Sequence, residues 1–152
     1  MAGSPRRFGP LSVSVEVLDQ QVALLGEGHP LHTDDGFARA VLGHRRRVVP
    51  GGLLHGVVAG WLVRHEGPVA VTALRSVHWD FVRPVHPDDP FWCDVSVRRA
   101  EVLDARTGTV HLVRRLTDEQ GQAYAIGRLD LVVLRRDTVD AMAVPGDNCA
   151  AC

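Results

Sequence analysis

The sequence contains no lysine; all 17 of its basic residues are arginine. Every cation it offers is therefore planar, permanently charged and suited to bidentate contacts with carboxylate or phosphate. A basic excess is also missing: 18 acidic residues leave a formal net charge of -1. That balance argues against a nucleic-acid partner. No apolar run reaches the roughly 18 residues of a membrane-spanning helix, so no membrane partner is expected. MAGSPRRFGP has no apolar stretch behind its arginines, so no export leader is read and the cytoplasm is the expected compartment. Cysteine is scarce. Cys93, Cys149 and Cys152 form an odd set, which points to reduced thiols. The Cys-x-x-Cys of Cys149 and Cys152 offers too few ligands for a structural zinc and follows no βαβ unit, so no role is assigned to it. Internal repeats and long linkers are lacking too.

What is present reads as one globular domain. The chain has 152 residues, 45% hydrophobic and 23% charged. Residues 1–10 and 137–152 are Gly/Pro/Ala-rich and aperiodic, so they read as a flexible arm and a loosely held tail around a domain at 11–136. LSVSVEV at 11–17 alternates apolar and polar residues, which predicts a strand. Residues 26–32 form a loop, after which Thr33 or Asp34 caps a short helix through Leu42. PGGLLHGVVAGWLVRH at 50–65 predicts a helix opened by Pro50 and apolar on nearly every side, hence buried all round. Residues 69–82, 91–103, 109–117 and 123–135 fit strands. Their links HPDDP, DARTG and DEQGQ are too short for parallel crossovers, so the sheet should be antiparallel. The class is α+β: a central helix against a long curved sheet.

Chemistry concentrates in GEGHPLHTD at 26–34, where Glu27, His29, His32 and Asp34 crowd one turn. A histidine and a carboxylate that reach one water can share acid–base work. Metal binding by His29, His32, Asp34 and Asp35 is the rival use. Pro30 makes a poor helix between the histidines, so they need not share a face, and no metal or other cofactor is expected. His55 is the only polar side chain between Gly51 and Val63. It reads either as a satisfied core histidine or as a group facing a substrate channel. Arg45, Arg46 and Arg47 read either as a solvated run or as a cradle for the phosphates of a carrier. Trp61, Trp79 and Trp92 read as core or dimer contacts, and Asp80 with Arg83 as a structural ion pair.

GEGHPLHTDDGFAR, VVPGGLLHGVVAG, FVRPVHPDDPFWCDVSV and DEQGQAYAIGRLDLVVL occur in the order seen in MaoC-like hot-dog proteins, which the chain resembles over about residues 10–135. That family includes (R)-specific enoyl-CoA hydratases and 3-hydroxyacyl-thioester dehydratases. The resemblance implies a hot-dog fold, a homodimer, and an acyl-CoA or acyl carrier protein thioester as substrate. It places His32 at the family's catalytic histidine and Glu27 at its catalytic aspartate. Gly51 matches the glycine that starts the hot-dog helix, so Gly51, Gly52 and Leu53 would frame the thioester oxygen, with His29 and His55 at the substrate. The chain departs from the family pattern at Glu27, at His29 in place of asparagine, and at Gly56 in place of a helix serine. The expected activity is interconversion of 2-enoyl and 3-hydroxyacyl groups. The departures suggest a specialised setting such as polyketide or other secondary metabolism. A hot-dog thioesterase and a non-catalytic or heterodimer subunit are the alternatives.

Overall fold

The computed structural model describes residues 4–66 and 70–142. Five strands, β1 (Arg6–Leu11), β2 (Val71–Phe81), β3 (Phe91–Val102), β4 (Thr107–Thr117) and β5 (Ala123–Leu134), form one antiparallel sheet. Their order is β1-β3-β4-β5-β2. The four long strands follow the alternation of the sequence, and their turns are built from short polar side chains. Asp104 Oδ1 accepts from the N–H groups of Arg106 and Thr107 at 2.8 and 2.7 Å. Asp118 Oδ1 accepts from Gln122 N–H at 2.7 Å, beside Gly121 at φ 81°.

The helices are α1 (Val15–Leu25), α2 (Pro30–Thr33), α3 (Asp35–Leu42), α4 (Gly51–Glu66) and α5 (Arg136–Met142). Leu54, Val58 and Leu62 repeat every four residues along α4 and so share one face. That face packs on Phe91, Cys93, Leu116 and Ala125 of the sheet, with Val13, Leu18, Val49 and Val85 closing the core. Each such apolar side chain taken from water contributes about 1.5–3 kcal/mol. The helix is not buried all round: Val63 is 58% exposed, and α4 stands off part of the sheet across a cavity.

Two N-terminal expectations are corrected. LSVSVEV is not a strand, because Ser14 caps α1 by accepting from Val17 N–H at 3.3 Å. From there the helical spacing of Leu18 and Val22 against the core outweighs the local alternation. Nor are residues 1–10 loose throughout. Arg6–Leu11 pair with β3, and Phe8 packs on Trp61 at a 5.5 Å centroid distance. Trp92 lies under the Arg7 guanidinium. Asp34 caps α3 as read, accepting from Phe37 N–H at 3.0 Å. Asp80 and Arg83 do not pair with each other. Asp80 takes Arg128 and His78, and Arg83 takes Asp118 at 2.7 Å while stacking on Tyr124. In the tail, Arg136–Met142 is helical; Cys149 and Cys152 lie outside the described residues.

Gly56 carries a stability prediction. It lies inside α4, and a Cβ built there meets nothing within 4 Å. Gly56→Ala should therefore stabilise the fold by about 0.5–1 kcal/mol, the entropic penalty of an interior helix glycine. Denaturant midpoints check it. An unchanged or lowered midpoint would mean that Gly56 is covered in solution.

Candidate active site

The loop after α1 is organised by its own side chains. Gly26 ends α1 in the left-handed region, at φ 66°. His29 then caps α2, its Nδ1 accepting from Leu31 N–H at 3.1 Å, with Pro30 at the first helical position. Thr33 Oγ1 donates back to the His29 carbonyl at 3.2 Å. His29 is thus an exposed bracing residue whose ring lies 6.2 Å from that of His32.

His32, like Leu31 before it, is half-buried. Its Nδ1 lies 2.7 Å from the Val48 carbonyl oxygen. A carbonyl only accepts, so this contact puts the ring proton on Nδ1 and leaves the Nε2 lone pair free. The Val48 segment is itself fixed. Arg47 N–H donates to Asp35 Oδ1 at 2.7 Å, Val48 N–H to the Leu31 carbonyl at 3.0 Å, and Val49 N–H to the Val85 carbonyl at 2.8 Å.

His32, Val48, Gly51, Leu54, Phe81 and Val85 line a cavity of about 330 Å³. The start of α4 opens into it through Gly51. The N–H groups of Gly51, Gly52 and Leu53 belong to the first turn and have no intrahelical acceptor, the first such bond running from Leu54 N–H to the Pro50 carbonyl at 3.2 Å. Free donors at the positive end of a helix suit a developing oxyanion. A Cβ at Gly51 would run into the Phe81 ring, so any larger residue there would have to displace that ring. Gly52 faces open space, which leaves its backbone approachable. Leu53 is partly buried against the core.

Glu27 is placed differently from His32. Its side chain is exposed, forms no hydrogen bond or ion pair among the described residues, and lines neither this cavity nor the larger one. The arginine run is not a solvated surface either. Arg45 pairs with Asp89, and Arg46 binds the Pro87 carbonyl and lies 3.5 Å from Asp88. Arg47 pairs with Asp19 at 2.7 Å and lies 3.7 Å from Asp35. These contacts pin the segment before α4 to α1, α3 and the 86–90 turn. The Arg46 and Arg47 guanidiniums are thus engaged by acceptors within the chain, while the Arg45 side chain keeps 58% exposure.

His55 lies one turn along α4. Trp79 Nε1–H donates to its Nδ1 at 3.2 Å, so the ring proton is on Nε2. Burial first, and then the nearby Arg114 charge, lower its pKa from the ordinary 6.5. His86 is lowered as well, by burial, with Asp89 opposing. In both cases the folded pKa lies below the unfolded one. Their stabilising contribution is therefore complete above about pH 6.5 and is lost as pH falls through the folded values. Denaturant midpoints should be level from pH 7.5 to 6.5 and fall towards pH 5. His55→Gln, which keeps an acceptor for Trp79, should flatten part of that slope. A midpoint constant down to pH 5 would contradict this.

Arg114 escaped the sequence reading, although the signal was there. Val110, Leu112, Arg114 and Leu116 share one parity on β4, so the charge falls in the apolar row. The Phe81 ring against Gly51 had no such signal.

No protein-family model matches the chain, and no curated protein matches its sequence. Solved structures do match. The (R)-hydratase from A. caviae involved in PHA biosynthesis superposes with a TM-score of 0.69 at 24% identity, over 89% of this chain and 97% of that one. The MaoC-like dehydratase from Rhodospirillum rubrum gives 0.73 at 18% identity, over 88% and 94%. The HadBC (3R-hydroxyacyl-ACP dehydratase) complex from Mycobacterium tuberculosis gives 0.63 at 17%, over 87% and 94%. This chain has the MaoC-like hot-dog fold.

Proposed function

We propose that the protein is a hydro-lyase that interconverts 2-enoyl and 3-hydroxyacyl groups held as thioesters on coenzyme A or an acyl carrier protein. One observation carries the reading: a single cavity holds His32, with Nδ1 tied to the Val48 carbonyl and Nε2 free among the described residues, beside N–H groups at the start of α4 that have no partner among the described residues either. Hydration needs those two things together. His32 Nε2 takes a proton from water as its oxygen bonds to C3. The thioester oxygen gathers negative charge against the Gly51–Leu53 donors, and a proton is delivered to C2. The hydratase and dehydratase names of the fold neighbours support this direction.

Glu27 is assigned as the second acid–base group through its place five residues before His32, not through a contact. Glu27→Gln should lower kcat at least tenfold with KM little changed; a loss under threefold would leave His32 to act without it. The functional unit is a homodimer. Among the described residues β2 is an edge strand paired only to β5, and its Val77 and Phe81 are 45% and 51% exposed. Such an edge is commonly covered by a second copy. Polyketide or other secondary metabolism remains the setting suggested by the altered loop.

A second reading is a partner subunit whose mate supplies the complete acid–base loop. It is favoured by Glu27 lining neither cavity, and HadBC shows a hot-dog neighbour in a two-component complex. The test is to incubate the purified protein with 2-enoyl thioesters on both carriers while following enoyl absorbance and free thiol together. Enoyl loss without thiol supports the hydro-lyase. Thiol release makes it a thioesterase, and no turnover by a monomeric chain supports the partner-subunit reading.

A further inference from the structure

Between α4 and the sheet lies a second, larger cavity of about 890 Å³, a size that suits a small-molecule ligand. Its walls are mostly aliphatic, with Leu62, Val97, Leu112 and Leu129 among them, and Ser4, Arg6 and His55 line it too. Arg114 is set into this lining. It is only 7% exposed, and its Nε and Nη1 are buried without a hydrogen-bond partner. Among the described residues no carboxylate pairs with it. The nearest alternative anion is excluded as well: burial pushes the Cys93 thiol up to about 12, so it stays neutral.

A buried guanidinium without a counter-charge is costly, and native proteins pair or neutralise such groups. A carboxylate is the anion whose charge and planar shape a guanidinium matches best. The position also fits the site already described. Leu54 lines the His32 cavity and the next residue, His55, lines the larger one. On the sheet, Arg114 stands opposite Gly127, and Gly127 opposite Trp79, whose ring covers it. Phe81, against Gly51, lies two residues along β2 from Trp79, about 7 Å away. The Trp79–Phe81 pair, stacked with ring centroids 6.0 Å apart, therefore stands between the start of α4 and Arg114.

We propose that this cavity receives an acyl chain ending in a carboxylate and that Arg114 binds that carboxylate, selecting dicarboxylic acyl thioesters over plain alkyl ones. The assignment rests on the acyl-thioester reading above.

The test compares hex-2-enedioyl-CoA with hex-2-enoyl-CoA, equal in chain length, for the wild type and Arg114→Met. The wild type should favour the carboxylated chain at least tenfold in kcat/KM, and Arg114→Met should reverse that preference. A wild-type preference for the alkyl chain, or an unchanged ratio in the variant, overturns the proposal. Thermal melting adds a control. Arg114→Met removes an unpaired buried charge, so its Tm should hold or rise; a clear fall would show that Arg114 is already paired, for example across a dimer, and would also overturn it. A third readout needs no turnover: adipate, titrated against tryptophan fluorescence through Trp79, should bind saturably to the wild type and not to Arg114→Met. Arg114-dependent adipate binding without turnover of any thioester would sink the hydro-lyase reading and leave the carboxylate site standing. No adipate binding would overturn the site itself.

Discussion

His32→Ala should lower kcat/KM for 2-enoyl thioester hydration by about 10²–10⁴-fold, the usual contribution of a positioned general acid–base group. The size of the effect follows from the geometry. The 2.7 Å contact with the Val48 carbonyl fixes both the tautomer and the ring plane of His32, and no other histidine lines that cavity. Stability should change little. The residue is half-buried, and the substitution removes one hydrogen bond, worth about 0.5–1.5 kcal/mol net. His32→Gln separates position from chemistry, because an amide can donate to Val48 but offers no basic nitrogen. It should recover stability without recovering rate. Circular dichroism melts beside steady-state kinetics make the comparison, and a Gln variant with near-normal kcat would move the acid–base role away from His32.

Phe91→Ala should destabilise the fold by about 3–5 kcal/mol, the range for emptying a buried aromatic site. Against a total of about 5–15 kcal/mol for a domain, that is a large share. Phe91 is fully buried at the start of β3, where it opposes Leu11 of β1 and sits in one cluster with Val49, Val85 and Leu54. The same cluster holds the segment that carries the Val48 carbonyl. The effect should therefore reach the site, with activity declining at temperatures where the wild type is still fully folded. Urea unfolding gives the number; a loss below 1.5 kcal/mol would mean that the core closes over the gap.

Much of this fold was legible because its strands alternate cleanly and its turns announce themselves with Asp, Gly and Gln. Residues 123–135, for example, differ from the observed Ala123–Leu134 by one position. The amino terminus was harder because two periodicities overlap there. Val13, Val15 and Val17 alternate, while Val13, Leu18 and Val22 are the residues that reach the core, and Ser14 decides for the helix. At the site, the loop histidine and the glycine start of α4 could be placed from the order of motifs alone. The partners that give them chemical meaning could not. The Val48 carbonyl on His32 and the Phe81 ring on Gly51 join residues 16 and 30 positions apart, and nothing local encodes either contact. The arginine run misled for a related reason. Its acceptors, Asp19, Asp35, Asp88 and Asp89, are scattered along the chain and converge only in the folded molecule.

In the proposed reaction, His32 and the start of α4 together add water across an enoyl thioester. The most direct measurement runs the reaction in D2O with a 2-enoyl-CoA and reads the product by NMR. The wild type should give an intact thioester bearing a 3-hydroxyl and one deuterium at C2, and His32→Ala should give no such product. A free enoic acid, with the double bond kept and no deuterium at C2, would contradict that reaction.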